Sequence, residues 1–255
     1  MTLIDRHLRD FYDFSDRRII SIGAGGGGLL EYARQARFVV AVDHDDAALD
    51  RLITRVRQDG LASRFFMFRG DMRSLHFTGD VVLFEFSLHD MPACHRSLQH
   101  ASCLAPHIVV MDHAPGSPWS WLAGEENGVD QCWAAVRSAG VLRQVDVEAF
   151  QSFDDFAEVK RCFARQGQTS QERIAELAVA TSIVIPMPYR LALLDSTTAA
   201  FDHPRSPLEE AVTRALDAIW SDSRHGTETA RSRMRAGRPP RSGCGSRTRG
   251  STPAW

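Results

Sequence analysis

Short apolar runs separated by amphipathic segments fill the first half of the chain. The runs lie at residues 18–22, 38–42, 64–68, 80–86 and 107–112, and helices are predicted over residues 28–35, 47–56 and 93–104. A continuous apolar run of this length is typical of a strand buried on both faces, as in a parallel sheet. The alternation predicts an α/β fold: a doubly wound, mostly parallel sheet with helices on both faces, preceded by a leader helix over residues 3–13.

The second half of the chain is less regular. Residues 145–150 alternate like a strand with one solvated face, and residues 181–194 are typical of a strand interrupted by prolines. Two helices are predicted between them, and the second begins with a capping box of Thr169 and Glu172. A last helix begins at Ser206, where a cap, a first-turn proline and an acid at the third position occur together. The two added strands bring the predicted sheet to seven.

The C-terminal residues differ abruptly in composition from the rest. The net charge is −2, but residues 224–255 contribute +7 and so leave −9 on the remainder. Beyond Asp222 the chain is rich in Arg, Gly, Ser and Pro, which predicts a domain over residues 1–222 and a disordered tail over residues 223–255. An acidic body disfavours a nucleic-acid partner, and the tail has no amphipathic face for a membrane. We expect neither partner, and the oligomeric state stays open.

Cysteine and histidine usage bounds the compartment and the chemistry. The five cysteines include no C-x-x-C pair, which argues against a disulfide framework and a zinc knuckle. No apolar run approaches the roughly 18 residues needed to span a bilayer, so a cytoplasmic protein is predicted. Five histidines fall between residues 89 and 113, but none are one helical turn apart, and no metal site is predicted.

Four consecutive glycines follow the first apolar run in the segment IISIGAGGGG. Gly23-x-Gly25-x-x-Gly28 fits a dinucleotide fingerprint, whereas Gly23-x-Gly25-x-Gly27 fits a nucleoside-binding loop. Either loop brings backbone N–H groups close to a ligand, and either uses an acid such as Asp43 to hold ribose hydroxyls. In the second interpretation, Gly28 only allows close packing. The glycines alone leave both an NAD- or FAD-dependent oxidoreductase and an enzyme with a nucleoside ligand open.

Four stretches of the chain bear on this choice, namely IISIGAGGG, VDHDD, RGDMRSL and DVVLFEFSLHDMP. Together they resemble the class I S-adenosylmethionine-dependent methyltransferases, of the small-molecule type. The resemblance implies a Rossmann-like methyltransferase fold, with S-adenosylmethionine as cofactor and S-adenosylhomocysteine as product. By position it implies a glycine loop beneath the methionine and ribose, an acid on the ribose hydroxyls, an adenine-binding pair and two residues at the methyl-donor end. The glycine-loop residues are Gly23, Ala24, Gly25 and Gly27, and the acid on the ribose hydroxyls is Asp43, with His44 beside it. The adenine-binding pair is Asp71 and Met72, and the residues at the methyl-donor end are Glu85 and Phe86.

Two further features bear on this resemblance. The family usually has an acid two residues before its first glycine, where this chain has Ser21, and we expect Glu85 to compensate. The dinucleotide alternative lacks the Tyr-x-x-x-Lys pair of short-chain dehydrogenases, because the only lysine is Lys160. A non-catalytic, methyltransferase-like binding subunit is the third alternative.

Histidines at the ends of two apolar runs are the candidate catalytic groups. His89 leaves the fourth run and His113 follows the fifth, so both open onto the sheet edge where an acceptor should lie. An imidazole near neutrality can deprotonate a hydroxyl, and we predict His89 as the base with His113 as second candidate. Trp119 and Trp121 are expected to wall an acceptor pocket, and the leader helix, with the aromatics of residues 11–14, to form a lid over the carboxyl edge of the sheet. The predicted reaction is in-line methyl transfer to a small molecule.

Overall fold

The computed structural model of the protein describes residues 2–177, 183–196 and 207–236, with the side chains of the last range described up to Ser221. The strands in this part of the chain are β1 (Arg18–Ile22), β2 (Phe38–Asp43), β3 (Phe65–Arg69), β4 (Val81–Glu85), β5 (His107–His113), β6 (Val141–Val147), β7 (Phe150–Phe153), β8 (Ile183–Pro186) and β9 (Tyr189–Asp195). The helices are α1 (Leu3–Phe11), α2 (Asp46–Gln58), α3 (Cys94–Leu104), α4 (Pro118–Ala123), α5 (Glu126–Ser138), α6 (Phe156–Cys162), α7 (Gln168–Ala175) and α8 (Pro207–Ala236). Among the described residues, no helix has both the length and the apolar character that a membrane span requires.

Seven strands form one sheet in the order β3-β2-β1-β4-β5-β9-β6. The first five strands run parallel, and β9 runs antiparallel between β5 and β6. The central strands are mainly apolar because both of their faces are covered, whereas β6 is an exposed edge strand. This arrangement confirms the predicted doubly wound, mostly parallel seven-stranded sheet.

Helices cover the sheet on both faces. One core holds the buried sides of α3, α5 and the first turns of α8, including Leu98, Trp133 and Trp220. The other core holds α1, α2 and the segment between β1 and β2, including Leu8 and Leu52. The side chains that alternate along each strand feed these two cores in turn.

A third, smaller core lies at the carboxyl edge of the parallel strands. The two-stranded sheet of β7 and β8 was not predicted, and together with α4, α6 and α7 it encloses buried residues that include Phe153, Phe163 and Ile174. Tyr189 at the start of β9 pairs with His113 at the end of β5, so the segment that precedes β9 leaves the sheet at its carboxyl edge. The small core is therefore placed to cover that edge.

Two helix predictions are wrong in detail. The helix expected over residues 28–35 is shortened to a single 3₁₀ turn, Glu31–Arg34. The expected capping box of Thr169 and Glu172 does not form, since α7 begins after Gly167 without a side-chain cap. Glu172 instead accepts a hydrogen bond from the side-chain amide of Gln168 at 2.9 Å.

Predictions at the two chain ends also differ from the structure. The aromatics of residues 11–14 are buried, and the Tyr12 hydroxyl bonds to Nδ1 of His107 at the amino end of β5 (2.7 Å), so the aromatic end of the leader helix does not cover the carboxyl edge. The helix that we expected to give way after Asp222 continues to Ala236, because residues 223–236 contain no proline and several good helix formers. Residues 237–255 and Ser206 lie outside the described residues, and the domain boundary stays a prediction.

Candidate functional site

The candidate site lies at the carboxyl edge of the sheet, between β1 and β4. The chain crosses from β1 towards β2 on one side and from β4 towards β5 on the other, so the strand order reverses here. Ligands of open α/β sheets bind in the crevice at such a point. Ile22 pairs with Phe84, which places Gly23 and Glu85 side by side where the two strands end.

The glycine loop after β1 has a backbone that only glycine adopts easily. Gly23, Gly25 and Gly27 all have positive φ, at 65°, 55° and 77°. A Cβ on Gly23 would lie 2.4 Å from Cβ of Ser87, whereas the Cβ position on Gly25 has no neighbour closer than 3.8 Å. The loop therefore packs tightly against the residues that follow β4 at Gly23 and presents an open backbone surface at Gly25.

The structure reverses the roles that the sequence suggests for Gly27, as a cofactor contact, and for Gly28, as a packing residue. Gly27 is buried, and a Cβ there would lie 2.8 Å from Cδ1 of Leu52, so this glycine allows close packing on α2. Gly28 is exposed, and its Cβ position is 3.9 Å from Oε1 of Glu85. The surface that faces the crevice at this end of the loop is thus that of Gly28.

Asp43 ends β2 and holds the glycine loop in place. Its Oδ2 accepts from the Gly25 N–H at 2.8 Å, and its Oδ1 accepts from the Asp45 N–H at 2.9 Å. Asp43 is buried, whereas the neighbouring His44 is 94 % exposed. Each carboxylate oxygen has a second lone pair, so Asp43 can still accept from a ligand hydroxyl.

The predicted adenine-binding pair follows β3. Asp71 is exposed, and its ion pair with the Arg73 guanidinium holds the pKa of the Asp71 carboxyl down at about 2. Met72 is buried, and its carbonyl accepts from Nε2 of His100 at 3.1 Å. The structure places both residues beyond β3, but the Asp71 carboxylate already has a partner.

Glu85 and Phe86 end β4 as expected. Burial raises the pKa of Glu85 to about 8, the charge of Asp5 adds to this effect, and the Leu29 N–H opposes it. Phe86 has a positive φ of 47°, and its ring centroid lies 4.8 Å from that of His113. The backbone turn at Phe86 thus places its ring against one of the candidate catalytic histidines.

His89 is fixed by a buried aspartate that the sequence interpretation missed. The carboxylate of Asp112, in β5, accepts from Nδ1 of His89 at 2.6 Å and from the His89 N–H at 3.1 Å. The Asp112 carboxylate also accepts from the His113 N–H at 2.8 Å. With Nδ1 committed to Asp112, Nε2 is the ring atom of His89 that can exchange a proton.

Two more acids surround Nε2 of His89. Oε2 of Glu125, in the turn between α4 and α5, lies 3.4 Å away, and Oδ1 of Asp90 lies 3.5 Å away. Burial lowers the pKa of His89, but the hydrogen bonds to Asp112 and Glu125 outweigh it and raise the pKa to about 10. His89, Asp90 and Glu125 offer ligand atoms within 4.8 Å of one another, so this cluster has the chemistry to hold either a proton or a divalent cation.

His113 differs from His89 in that its pKa is lowered rather than raised. It is buried, which lowers its pKa to about 4, and its Nδ1 has no hydrogen-bond partner. The ring centroids of His89 and His113 are 5.7 Å apart. Neighbouring groups whose pKa values are pushed apart are typical of acid–base chemistry, here with one charged and one neutral imidazole.

The two loop tryptophans have different surroundings. Trp119 stacks on His113 with ring centroids 6.3 Å apart, and its other neighbours are Phe153 and Phe163 of the small core. Trp121 is 44 % exposed and lies beneath the guanidinium of Arg173. Trp119 therefore adjoins the candidate site, and Trp121 is a surface residue.

Comparisons with known proteins give matches in structure alone. No family model matches the chain, and no curated protein matches its sequence. A protein from Bacillus halodurans provisionally assigned as a methyltransferase is 13% identical, with a TM-score of 0.57 over 75% of this chain and 98% of that one. The YcgJ protein of Bacillus subtilis is 14% identical, with a TM-score of 0.56 over 74% of this chain and 96% of that one.

A third similar structure has a different activity. The [4+2]-cyclase SpnF is 16% identical, with a TM-score of 0.50 over 75% of this chain and 80% of that one. Similar architecture at such identities shows how the chain folds, and activity has to be argued from the site. The strand order, the glycine loop and these structures together show that the chain has the class I methyltransferase fold.

Proposed function

We propose that this protein binds S-adenosylmethionine and transfers its methyl group to a hydroxyl group of a small aromatic molecule. The observation that carries the proposal is that the glycine loop with Asp43 and the Asp112–His89 pair end on the same edge of the sheet. A nucleoside-binding surface and a positioned imidazole are thus brought together. S-Adenosylhomocysteine is the expected product.

The residues present fit this cofactor. Gly25 offers open backbone surface, Asp43 retains acceptor capacity for ribose hydroxyls, and Oδ1 of Asp5 is a buried acceptor without a partner. Phe86 supplies an apolar wall beside Glu85 at the end of β4. When bound, S-adenosylmethionine supplies an electrophilic methyl group, and the chain has to align the acceptor with it and exclude water.

His89 is proposed as the general base. Because a pKa of about 10 keeps the ring protonated at neutral pH, only its minor neutral form can act as the base, and methyl transfer is expected to become faster as the pH rises towards 10. In that neutral form Asp112 keeps the remaining proton on Nδ1, so Nε2 can take the proton of an acceptor hydroxyl. The imidazolium that forms is stabilised by Asp112 and Glu125, whose carboxylates already raise the pKa of His89. His113, which stays neutral, is proposed to contact the acceptor rather than to take its proton.

A small aromatic acceptor is favoured by the surroundings of the base. The His89 side chain is 4 % exposed, so the small core and the turn at Glu125 leave little room for a macromolecule. The rings of Phe86, His113 and Trp119 form a continuous aromatic surface next to it. The acidic body agrees with an acceptor that is not a nucleic acid. A cytoplasmic location remains part of this proposal.

The dinucleotide alternative fits the topology less well. Dinucleotide-binding sheets continue past the fifth strand with a sixth parallel strand, whereas here the antiparallel β9 occupies that position. No observation favours a purely non-catalytic role, because the Asp112–His89 pair lies beside the crevice.

Methyl transfer can be tested without knowing the acceptor. The protein would be incubated with a small-molecule extract and S-adenosylmethionine carrying a deuterated methyl group, and products heavier by the labelled methyl would be sought by mass spectrometry. We expect labelled products that the His89→Ala variant forms at least about a hundredfold more slowly. Equal labelling by both proteins would remove His89 from the mechanism. A protein that does not bind S-adenosylhomocysteine would contradict the proposal itself.

A further inference from the structure

Two acidic side chains, Asp5 and Glu85, lie near one another on the α1 face of the sheet without a basic partner. Asp5 is 4 % exposed, and Glu85 is partly buried at the end of β4. Among the described residues, no lysine, arginine or histidine forms an ion pair with either carboxylate. Two enclosed acids without a cation are costly to keep ionised, so the pair requires an explanation.

Asp5 uses only half of its carboxylate within the protein. Oδ2 accepts from the Thr2 N–H at 3.0 Å and from the Thr2 hydroxyl at 2.7 Å, which completes the capping box of α1. Oδ1 is buried and has no hydrogen-bond partner. Capping therefore explains one oxygen of Asp5 and leaves the other free.

The first turn of α1 is held over the carboxyl edge of the sheet. Nδ1 of His7 and the Tyr189 hydroxyl form a hydrogen bond of 2.6 Å, and Tyr189 pairs with His113 at the end of β5. Ile4 packs into the same core as Ala24 of the glycine loop. Asp5 thus lies where the crevice opens, although the aromatics at the other end of α1 lie at the opposite edge.

Glu85 reaches the same place from the sheet. It pairs with Met111, whose side chain belongs to the core under α1, so Glu85 points towards that face. Its Oε1 lies 3.9 Å from the Cβ position of Gly28. On the same face, Ser21 is fully buried. The charge of Asp5 contributes to the raised pKa of Glu85, as expected for neighbouring acids.

We propose that Asp5 and Glu85 bind the ammonium group of the methyl donor's methionine portion, so that the leader helix supplies part of the cofactor site. An ammonium group has three N–H donors, and the free oxygens of the two acids provide matching acceptors. This inference rests on the proposed function. The chain has Ser21 where the family usually has an acid, and the inference assigns the missing negative charge to Asp5, sixteen positions earlier in the chain.

Calorimetry with two ligands isolates the ammonium contact. The full-length protein would be titrated with S-adenosylhomocysteine and with an analogue that lacks only its amino group. Asp5→Asn and Glu85→Gln should each weaken S-adenosylhomocysteine binding by about ten- to a hundredfold, the range for a hydrogen bond to a charged group. Binding of the analogue should change by less than about threefold. Asp10→Asn removes an exposed charge from the same helix and should change neither affinity.

Stability separates this role from a structural one. Thr2→Ala removes the cap but keeps the Asp5 carboxylate, so it should lower the melting temperature and spare both affinities. Ligand-free Glu85→Gln should melt at or above the wild-type temperature at neutral pH, because the variant relieves a crowded acid.

Each remaining outcome has a distinct meaning. Equal loss of both ligands in Asp5→Asn, or the same loss in Thr2→Ala, would make Asp5 a structural residue and overturn the inference. Unchanged S-adenosylhomocysteine binding in both acid variants would also overturn it. If the wild-type protein bound neither ligand, the proposed function itself would fail, whereas equally tight wild-type binding of both ligands would overturn only the ammonium site.

Discussion

Replacing Asp112 by asparagine tests whether a buried charge sets the state of His89. The Asp112 side chain is fully buried and accepts from Nδ1 of His89 and from the backbone N–H groups of His89 and His113. Asparagine has the same shape, but it lacks the charge and turns one acceptor into a donor. We expect the pKa of His89 to fall from about 10 towards its ordinary value.

The size of the effect follows from the pKa. A rise from 6.5 to about 10 corresponds to about 5 kcal/mol, at about 1.4 kcal/mol for each pKa unit. Glu125 and Asp90 share this effect, so the part due to Asp112 is roughly 2–3 kcal/mol, as for a hydrogen bond to a charged group. Because the folded-state pKa is raised, this stabilisation is fully present below about pH 6.5 and is lost as the pH rises towards 10.

The assay combines nuclear magnetic resonance with urea unfolding. In the wild-type protein the His89 ring should stay protonated beyond pH 9, whereas in Asp112→Asn it should titrate below about pH 8. The difference in unfolding free energy between the two proteins should shrink between pH 7 and 10. Asp90→Asn is the control, and its effect should be smaller because Asp90 is 69% exposed. A wild-type His89 that titrates near 6.5, or a stability difference independent of pH, would refute the reasoning.

Three further predictions concern ligands. Asp43→Ala should weaken S-adenosylhomocysteine binding about ten- to a hundredfold, and His89→Ala should leave it within about threefold; equal losses would move His89 into the cofactor site. Trp119→Ala should raise the KM for the acceptor in steady-state kinetics, whereas Trp121→Ala, at the surface, should not; the reverse order would exclude Trp119 from the acceptor site. Chelators should leave methyl transfer unchanged because the positive charge of His89 already balances the negative charges of Asp90 and Glu125. Inhibition by a chelator that added Mg²⁺ or Mn²⁺ reverses would instead make these three residues a cation site.

The strands and the cofactor edge were predictable because their signals are local. The run FVVAV followed by Asp43 predicts both a buried strand and an acid where that strand ends. Gly23, Gly25 and Gly27 all have positive φ angles, which explains why glycines stand at these positions but does not select the ligand. The roles of Gly27 and Gly28 were not predictable, since they depend on how α2 packs against the loop.

The neighbours of His89 depend on tertiary contacts that no spacing reveals. Glu85 pairs with Met111, so a residue four positions beyond Glu85 can turn back to Asp112, but that follows only from the register of β4 and β5. Glu125 comes from a turn whose position is set by the small core. Asp112 directly precedes His113 at the end of an apolar run. This position, at the edge where the parallel strands end, was the sequence signal that could have pointed to Asp112.

The most direct test of the central claim is a calorimetric titration of the full-length protein with S-adenosylhomocysteine and, separately, with NADH. The glycine loop, Asp43 and the antiparallel β9 predict saturable 1:1 binding of S-adenosylhomocysteine, weakened in Asp43→Ala, and no binding of NADH. Saturable binding of NADH together with no heat from S-adenosylhomocysteine would contradict the account.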